Sequence, residues 1–177
     1  APDKSGVMID DLLLEKVQPM VVEKITTVQP VIPVLIQKKD NPVIGLQVVA
    51  KGRGEAKKLT GLKFDFQGTT DLQAIKAVRV LSAGSNPKAG GGERFGETRR
   101  DGSGWVCEGA VNLVSGDNYF WVSVELNEGA DLDGEVDARI LTVKLDDGEV
   151  IKPDMASPEG SQRIGYAVRQ CGDDGSK

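Results

Sequence analysis

The strongest constraint on this chain is a two-residue period of apolar side chains. In "NLVSGDNYFWVSVELN", residues 112–127, Phe120, Val122, Val124 and Leu126 fall on one face of an extended strand, while Tyr119, Trp121, Ser123 and Glu125 fall on the other. The run "LKFDFQG" repeats the pattern, with Leu62, Phe64 and Phe66 inward and Lys63, Asp65 and Gln67 outward. Similar runs are "VIPVLIQ", "VIGLQVVA", "IKAVRVLSAG" with Val78 and Val80 on one side, "WVCEGAVNL", "DARILTVKL" with Leu141, Val143 and Leu145 in phase, and "RIGYAVRQ". About eight strands separated by Gly-, Asp- and Ser-rich turns, with little helix, predict an all-β fold: a two-sheet, immunoglobulin-like β-sandwich.

A chain of 177 residues suits one domain and can bury a core without metals or crosslinks. Residues 1–30, with Pro19 and Pro30, read as a lead-in of short helix or extended chain. Residues 31–170 hold the sandwich, with Pro33 marking an edge or a bulge. The glycine-rich stretch "GSNPKAGGGERFGETRRDGSG", residues 84–104, is the longest expected loop and invites a functional role. "KGRGEAKK", with Lys51, Arg53, Lys57 and Lys58, reads as a solvated hairpin tip. No repeat of fixed period points to a propeller or solenoid within these residues.

Composition narrows the function. The net charge of −5, from 22 basic and 27 acidic residues, argues against nucleic acid as a partner. Histidine is absent, which removes the usual proton-transfer group and the commonest metal ligand, and weighs against hydrolase chemistry in this chain. No serine elbow or phosphate loop occurs, and nothing singles out a carboxylate pair. The two cysteines, Cys107 and Cys171, lack metal or redox spacing and are either a disulfide or two small buried thiols. No run of eighteen apolar residues suggests a membrane span. The opening "APDKSGV" lacks a leader pattern, as expected of a mature chain if the protein is exported. No cofactor is required. The string "DLDGEVDA" gathers Asp131, Asp133, Glu135 and Asp137, but lacks the glycine and closing glutamate of a helix-loop-helix calcium site, so an acidic turn is expected and no metal is assigned.

Four residues are candidates for contact with a carbohydrate. Trp121 presents an indole that could stack on a pyranose or pack under a loop or neighbouring domain. Tyr119 lies two residues before it on the same face. Its spacing from Leu113 and Gly116 matches a tyrosine corner, in which the phenol bonds back to nearby backbone. Arg99 and Arg100, with Arg94 in the same stretch, offer guanidinium forks suited to a carboxylate such as that of a sialic acid, or else belong to a charged loop. Trp105 reads as core.

The phrases "FQGTTDLQAIKAVRVLSAG", "GDNYFWVSVELNEGADLDGEVDA" and "RIGYAVRQCGDDGSK" together resemble the N-terminal domain that precedes the catalytic propeller in bacterial exo-sialidases, the BNR-repeat neuraminidases of glycoside hydrolase family 33. The resemblance covers most of residues 28–177. It implies a secreted or periplasmic β-sandwich similar to carbohydrate-binding modules, noncatalytic itself, whose partners are a C-terminal sialidase propeller of the same protein and sialylated glycans. Residues 171–177 then form a linker toward that propeller. The family's catalytic groups, an arginine triad, a tyrosine–glutamate pair and an aspartate, belong to the propeller, and none can be placed on this sequence. The nearest approach to a propeller Asp-box, "RRDGSGW", lacks the leading serine and has Trp105 one position early. A sandwich with no ligand at all is the competing expectation.

Overall fold

The computed structural model describes residues 18–166. In chain order its strands are β1 (Val21–Val28), β2 (Val34–Ile36), β3 (Asn41–Lys51), β4 (Lys58–Asp65), β5 (Ile75–Gly84), β6 (Glu93–Arg94) and β7 (Gly96–Asp101). They continue as β8 (Gly104–Asn112), β9 (Gly116–Leu126), β10 (Glu135–Val136), β11 (Arg139–Leu145), β12 (Val150–Ile151) and β13 (Gln162–Tyr166). A single helical turn, Leu72–Ala74, precedes β5 and is capped by Asp71, which accepts from the Gln73 amide.

Two five-stranded sheets, β1-β3-β9-β5-β6 and β12-β11-β4-β8-β7, enclose the core. The first sheet contributes Ile44, Leu46, Val48, Phe120, Val122 and Val124, and the second contributes Leu59, Leu62, Phe64, Cys107, Val143 and Leu145. The expected all-β sandwich is therefore the architecture, and the inward positions read from β4 and β9 are buried. A third sheet, β10-β13-β2, was not anticipated. In it, β13 runs parallel to β2, with Ile164 opposite Val34 and Tyr166 opposite Ile36. The predicted strand "VIPVLIQ" shrinks to β2, which begins only after Pro33.

Several expectations change because the chain crosses between sheets. The segment expected as a lead-in supplies β1, which pairs antiparallel with β3 and forms the edge of the first sheet. "KGRGEAKK" is not a hairpin tip: β3 and β4 lie in different sheets, and the amides of Arg53 and Gly54 both donate to the Gln18 carbonyl at 3.1 and 2.7 Å. The glycine-rich loop contains β6 and β7, so Arg94, Arg99 and Arg100 stand on edge strands. β6 pairs with β5 and β7 with β8, so the chain changes sheets at Phe95. The Phe95 ring meets Phe120 edge-on at 5.7 Å, an arrangement that contributes about 0.5–1.5 kcal/mol beyond burial. The crossing also demands small residues. Gly96 pairs with Gly109, and a Cβ on Gly96 would stand 2.0 Å from the Glu108 carbonyl oxygen.

The alternation read in "DARILTVKL" is offset by a β-bulge. Ile140 pairs with Phe64 and Thr142 with Lys63, so Leu141 is the extra residue. Ile140 is buried and Leu141 is only half-buried, which corrects the expectation that Leu141 shares a phase with Val143 and Leu145. The bulge yields a direct test: Ile140→Ala should cost about 2–5 kcal/mol in urea unfolding, and Leu141→Ala about 1 kcal/mol or less.

Candidate functional site

The face of β9 that carries Tyr119 and Trp121 is not an open platform. Trp121 is 2 % exposed and Ser123 is fully buried, although both point away from the main core. Gly45 is the local cause. It pairs with Trp121 across β3 and β9, and a Cβ there would stand 2.3 Å from the indole ring, so the ring occupies the space a side chain would take. Leu81, also buried, pairs with Trp121 from β5 on the other side. The stretch between β5 and β6 folds back toward β3, where Gly90 rests against Pro42. Neither the Trp121 Nε1 nor the Ser123 hydroxyl has a hydrogen-bond partner among the described residues.

Tyr119 does not form the expected corner. Its hydroxyl accepts from Gln47 Nε2 at 3.4 Å, a side-chain contact across the β3–β9 ladder. Asn118, 3 % exposed, pins the turn instead. Its Nδ2 donates to the carbonyls of Val114, Gly116 and Val48 at 2.9, 3.2 and 3.2 Å, and its Oδ1 accepts from the Val114 amide at 2.8 Å. An asparagine carries both donor and acceptor on a short arm, which a phenol cannot supply at this distance from the strand. Asn41, 1 % exposed, does the same where β2 turns into β3, bonding to Leu35, Lys38 and Val124.

The two arginines diverge. Arg100 lies over the Trp105 ring, 5.2 Å from its centroid, at the end of the sandwich where Trp105 meets Phe66 edge-on. Arg99 lies in the second sheet, opposite Val106, with Glu108 at 3.7 Å. The four candidates therefore do not converge: Tyr119 and Trp121 lie in one sheet, Arg99 and Arg100 in the other.

What does converge is the outer face of the second sheet. Cross-strand pairing sets Thr142, Lys63, Val106 and Arg99 in one row, and Lys144, Gly61, Glu108 and Glu97 in the next. Gly61 has no side chain, so the second row has a slot between Lys144 and Glu108. A groove of about 510 Å3 runs here, lined by Thr60, Gly61, Leu62, Lys63, Val106, Glu108, Thr142, Lys144 and Val150. That volume lies within the roughly 300–1,000 Å3 of small-ligand sites. Lys63 is paired with Asp101 at 3.3 Å and Glu108 with Arg99, while Lys144 has no acidic partner among the described residues. The floor is apolar and the rim carries two ammonium groups, one carboxylate and two hydroxyls. One carboxylate cannot form the carboxylate pair that most glycoside hydrolases use, and no tyrosine lines the groove to serve as a sialidase-type nucleophile. None of the lining residues is aromatic. The alternation of "LKFDFQG" already placed Lys63 on a wet face, but Gly61, Glu108 and Lys144 lie on three strands and become neighbours only through register.

The acidic string closes turns. Asp131 Oδ1 accepts from the Asp133 amide at 2.9 Å, Glu135 accepts from the Ser161 hydroxyl at 2.8 Å, and Asp137 Oδ1 accepts from the Ala138 amide at 2.9 Å. Burial is the main cause that pushes the Asp137 carboxyl above its ordinary value; the Ala138 amide opposes it and the nearby Glu135 charge adds to it. Burial likewise raises the Cys107 thiol. Cys171, and with it the disulfide alternative, lies outside the described residues, as does the expected linker 171–177.

Residues 22–149 match the family described as the N-terminal domain of BNR-repeat neuraminidase. A sialidase of Bacteroides fragilis (strain YCH46) is 27% identical over 172 residues, an alignment covering 82% of this chain and 31% of that protein. Among solved structures, the Hadza microbial sialidase Hz136 aligns with a TM-score of 0.64 at 24% identity, covering 81% of this chain and 32% of that one, which shows a shared fold. The chain thus spans about a third of the length of these relatives.

Two outcomes follow from this geometry. Gly45→Ala should destabilise the domain by about 1–3 kcal/mol, because the new methyl group overpacks against the indole; the urea midpoint followed by tryptophan fluorescence reads it. Asp137→Asn tests the half-buried carboxyl. A raised folded-state value means that Asp137 favours folding only while protonated, and that this is lost as pH rises through the raised value. The variant should therefore melt above the parent chain at pH 7 and level with it below the ordinary aspartate value.

Proposed function

Because the chain belongs to the family of N-terminal domains of BNR-repeat neuraminidases and is not their catalytic domain, we propose that it is a noncatalytic module that holds a glycan in the groove across Gly61. It thereby keeps the exported bacterial sialidase that carries it close to sialylated surfaces. The observation that supports this reading is the slot between Lys144 and Glu108. A sugar entering it lays its apolar face on Gly61 and Val106, gives hydroxyls to Glu108, Thr60 and Thr142, and sets a sialic-acid carboxylate beside the unpaired Lys144. Arg99 braces Glu108 from the next strand, which gives that residue a supporting part; Trp121 and Tyr119 contribute through packing.

A second reading, a sandwich without ligand, draws support from the enclosure of Trp121 and from a groove with no stacking ring. Amide chemical shifts of the 177-residue chain, titrated with sialylated and asialo glycans to millimolar concentration, separate the two. Under glycan binding, sialylated glycan shifts the amides of residues 60–63, 106–108 and 142–144. Gly61→Leu should then weaken binding at least tenfold and Lys144→Ala should narrow the preference for the sialylated form, with thermal unfolding little changed in both. Silent spectra in both titrations favour the sandwich without ligand.

A further inference from the structure

The core-facing side of β7 ends in an arginine. Across the β7–β8 ladder Thr98 pairs with Cys107 and Arg100 with Trp105, and Cys107 is fully buried, so alternation turns Thr98 and Arg100 inward. Arg99, opposite Val106, stays on the outer face with the groove. Arg100 thus stands at the open end of the sandwich, exposed, with its Cζ 5.2 Å from the centroid of the half-buried Trp105 ring. It has no carboxylate partner among the described residues. The nearby acids are engaged elsewhere: Asp101, the next residue, by Lys63 at 3.3 Å, and Asp65, which lies against Gly104, by Arg139 at 2.9 Å.

Arg100 and Trp105 line a pocket of about 30 Å3 together with Phe66, Leu72, Ile75 and Ser103. That volume admits one water-sized group, such as a methyl. Four of the six side chains are aliphatic or aromatic, none is acidic, and Leu72, 54 % exposed, forms an apolar lip. The frame is held in advance. Asp101 pairs with Gly104, so Gly102 and Ser103 alone make the turn, with the positive φ of 63° at Gly102 that a two-residue hairpin uses. A guanidinium held by its face over an indole keeps its N–H edge for an anion, and that edge matches a carboxylate through two parallel bonds. An inward charge also discourages an edge strand from pairing with another chain, but that role needs neither a pocket nor an aromatic ring beneath the charge.

We propose that this end of the sandwich is a second binding site, for a small carboxylate. The carboxylate takes the Arg100 edge and the Ser103 hydroxyl, and a methyl-sized apolar group enters between Trp105, Phe66, Leu72 and Ile75. The site lies on the inner side of the sheet whose outer face carries the groove, and it does not depend on what the groove holds. A short aliphatic acid and an acetylated sugar acid share the required chemistry, a carboxylate and a methyl group.

Indole and amide spectra of the 177-residue chain, titrated at fixed pH and ionic strength with propionate, propionamide and free N-acetylneuraminate, test the site. Propionate should shift the Trp105 indole resonance and the amides of residues 72–75 and 100–105 along a saturating millimolar curve. Propionamide, similar in shape but uncharged, should not. Arg100→Lys keeps the inward charge and loses the fork, so it should weaken propionate binding about tenfold or more at an unchanged melting temperature. Whichever acid saturates these resonances at the lower concentration gives the source of the carboxylate, and either one supports the site. No saturable shift with either acid, or equal shifts with propionamide, overturns the proposal. Undiminished binding in Arg100→Lys overturns it too, because an inward charge alone would then suffice.

Discussion

The molecule depends on the double-sided burial of β9. One face of this central strand puts Phe120, Val122, Val124 and Leu126 into the core, and the other puts Trp121 and Ser123 under cover as well. A strand buried on both faces has no room to slip, because a shift of one residue would exchange the indole with a core aliphatic. Its neighbours β3 and β5 inherit their register from it, and Gly45 is small because Trp121 is large. The two buried asparagines act at opposite ends of this arrangement: Asn118 fixes where β9 begins, and Asn41 bonds to the Val124 carbonyl near its far end. Each satisfies backbone groups that would otherwise be buried without partners, at a cost of about 1–3 kcal/mol apiece.

With the first sheet fixed, the second is positioned through the crossing at Phe95. The ring stays with the first sheet while the chain passes to the second, and the Gly96–Gly109 contact brings β7 close enough to pair with β8. That pairing sets Arg99 beside Glu108, and Glu108 beside the slot at Gly61. The groove is thus a property of ladder register, built from residues that are ordinary one by one: two threonines, a glycine, two lysines and a glutamate on a solvated sheet face.

This explains what the sequence discloses and what it withholds. Period-two alternation survives wherever one sheet face meets the core, so Leu62, Phe64, Phe66 and the Phe120 series are readable directly. It misleads where a bulge adds a residue, as at Leu141, because the phase changes without any change in composition. The puzzle of large aromatics on a polar-looking face also has a tertiary answer: the residue that makes room for Trp121 lies 76 positions away, at Gly45. The short charged strands β6 and β7 look like loop because edge strands tolerate charge and glycine in order to avoid pairing with other chains. Tyr119 carried the more familiar signature, whereas the adjacent Asn118 has the geometry to close the turn. Membership of the neuraminidase N-terminal family was legible from long phrases in order, two of which, residues 66–84 and 116–138, fall within the matched residues 22–149.

The parallel pairing of β13 with β2 has a mechanical meaning. Tension applied along β13 would slide it past β2, so the ladder bonds and the buried Gln162 amide would share the load rather than peel apart one after another. Strands loaded in this way yield at higher force than strands that unzip. Within the described fold, β13 is therefore held stiffly at the edge of the sandwich rather than hinged there.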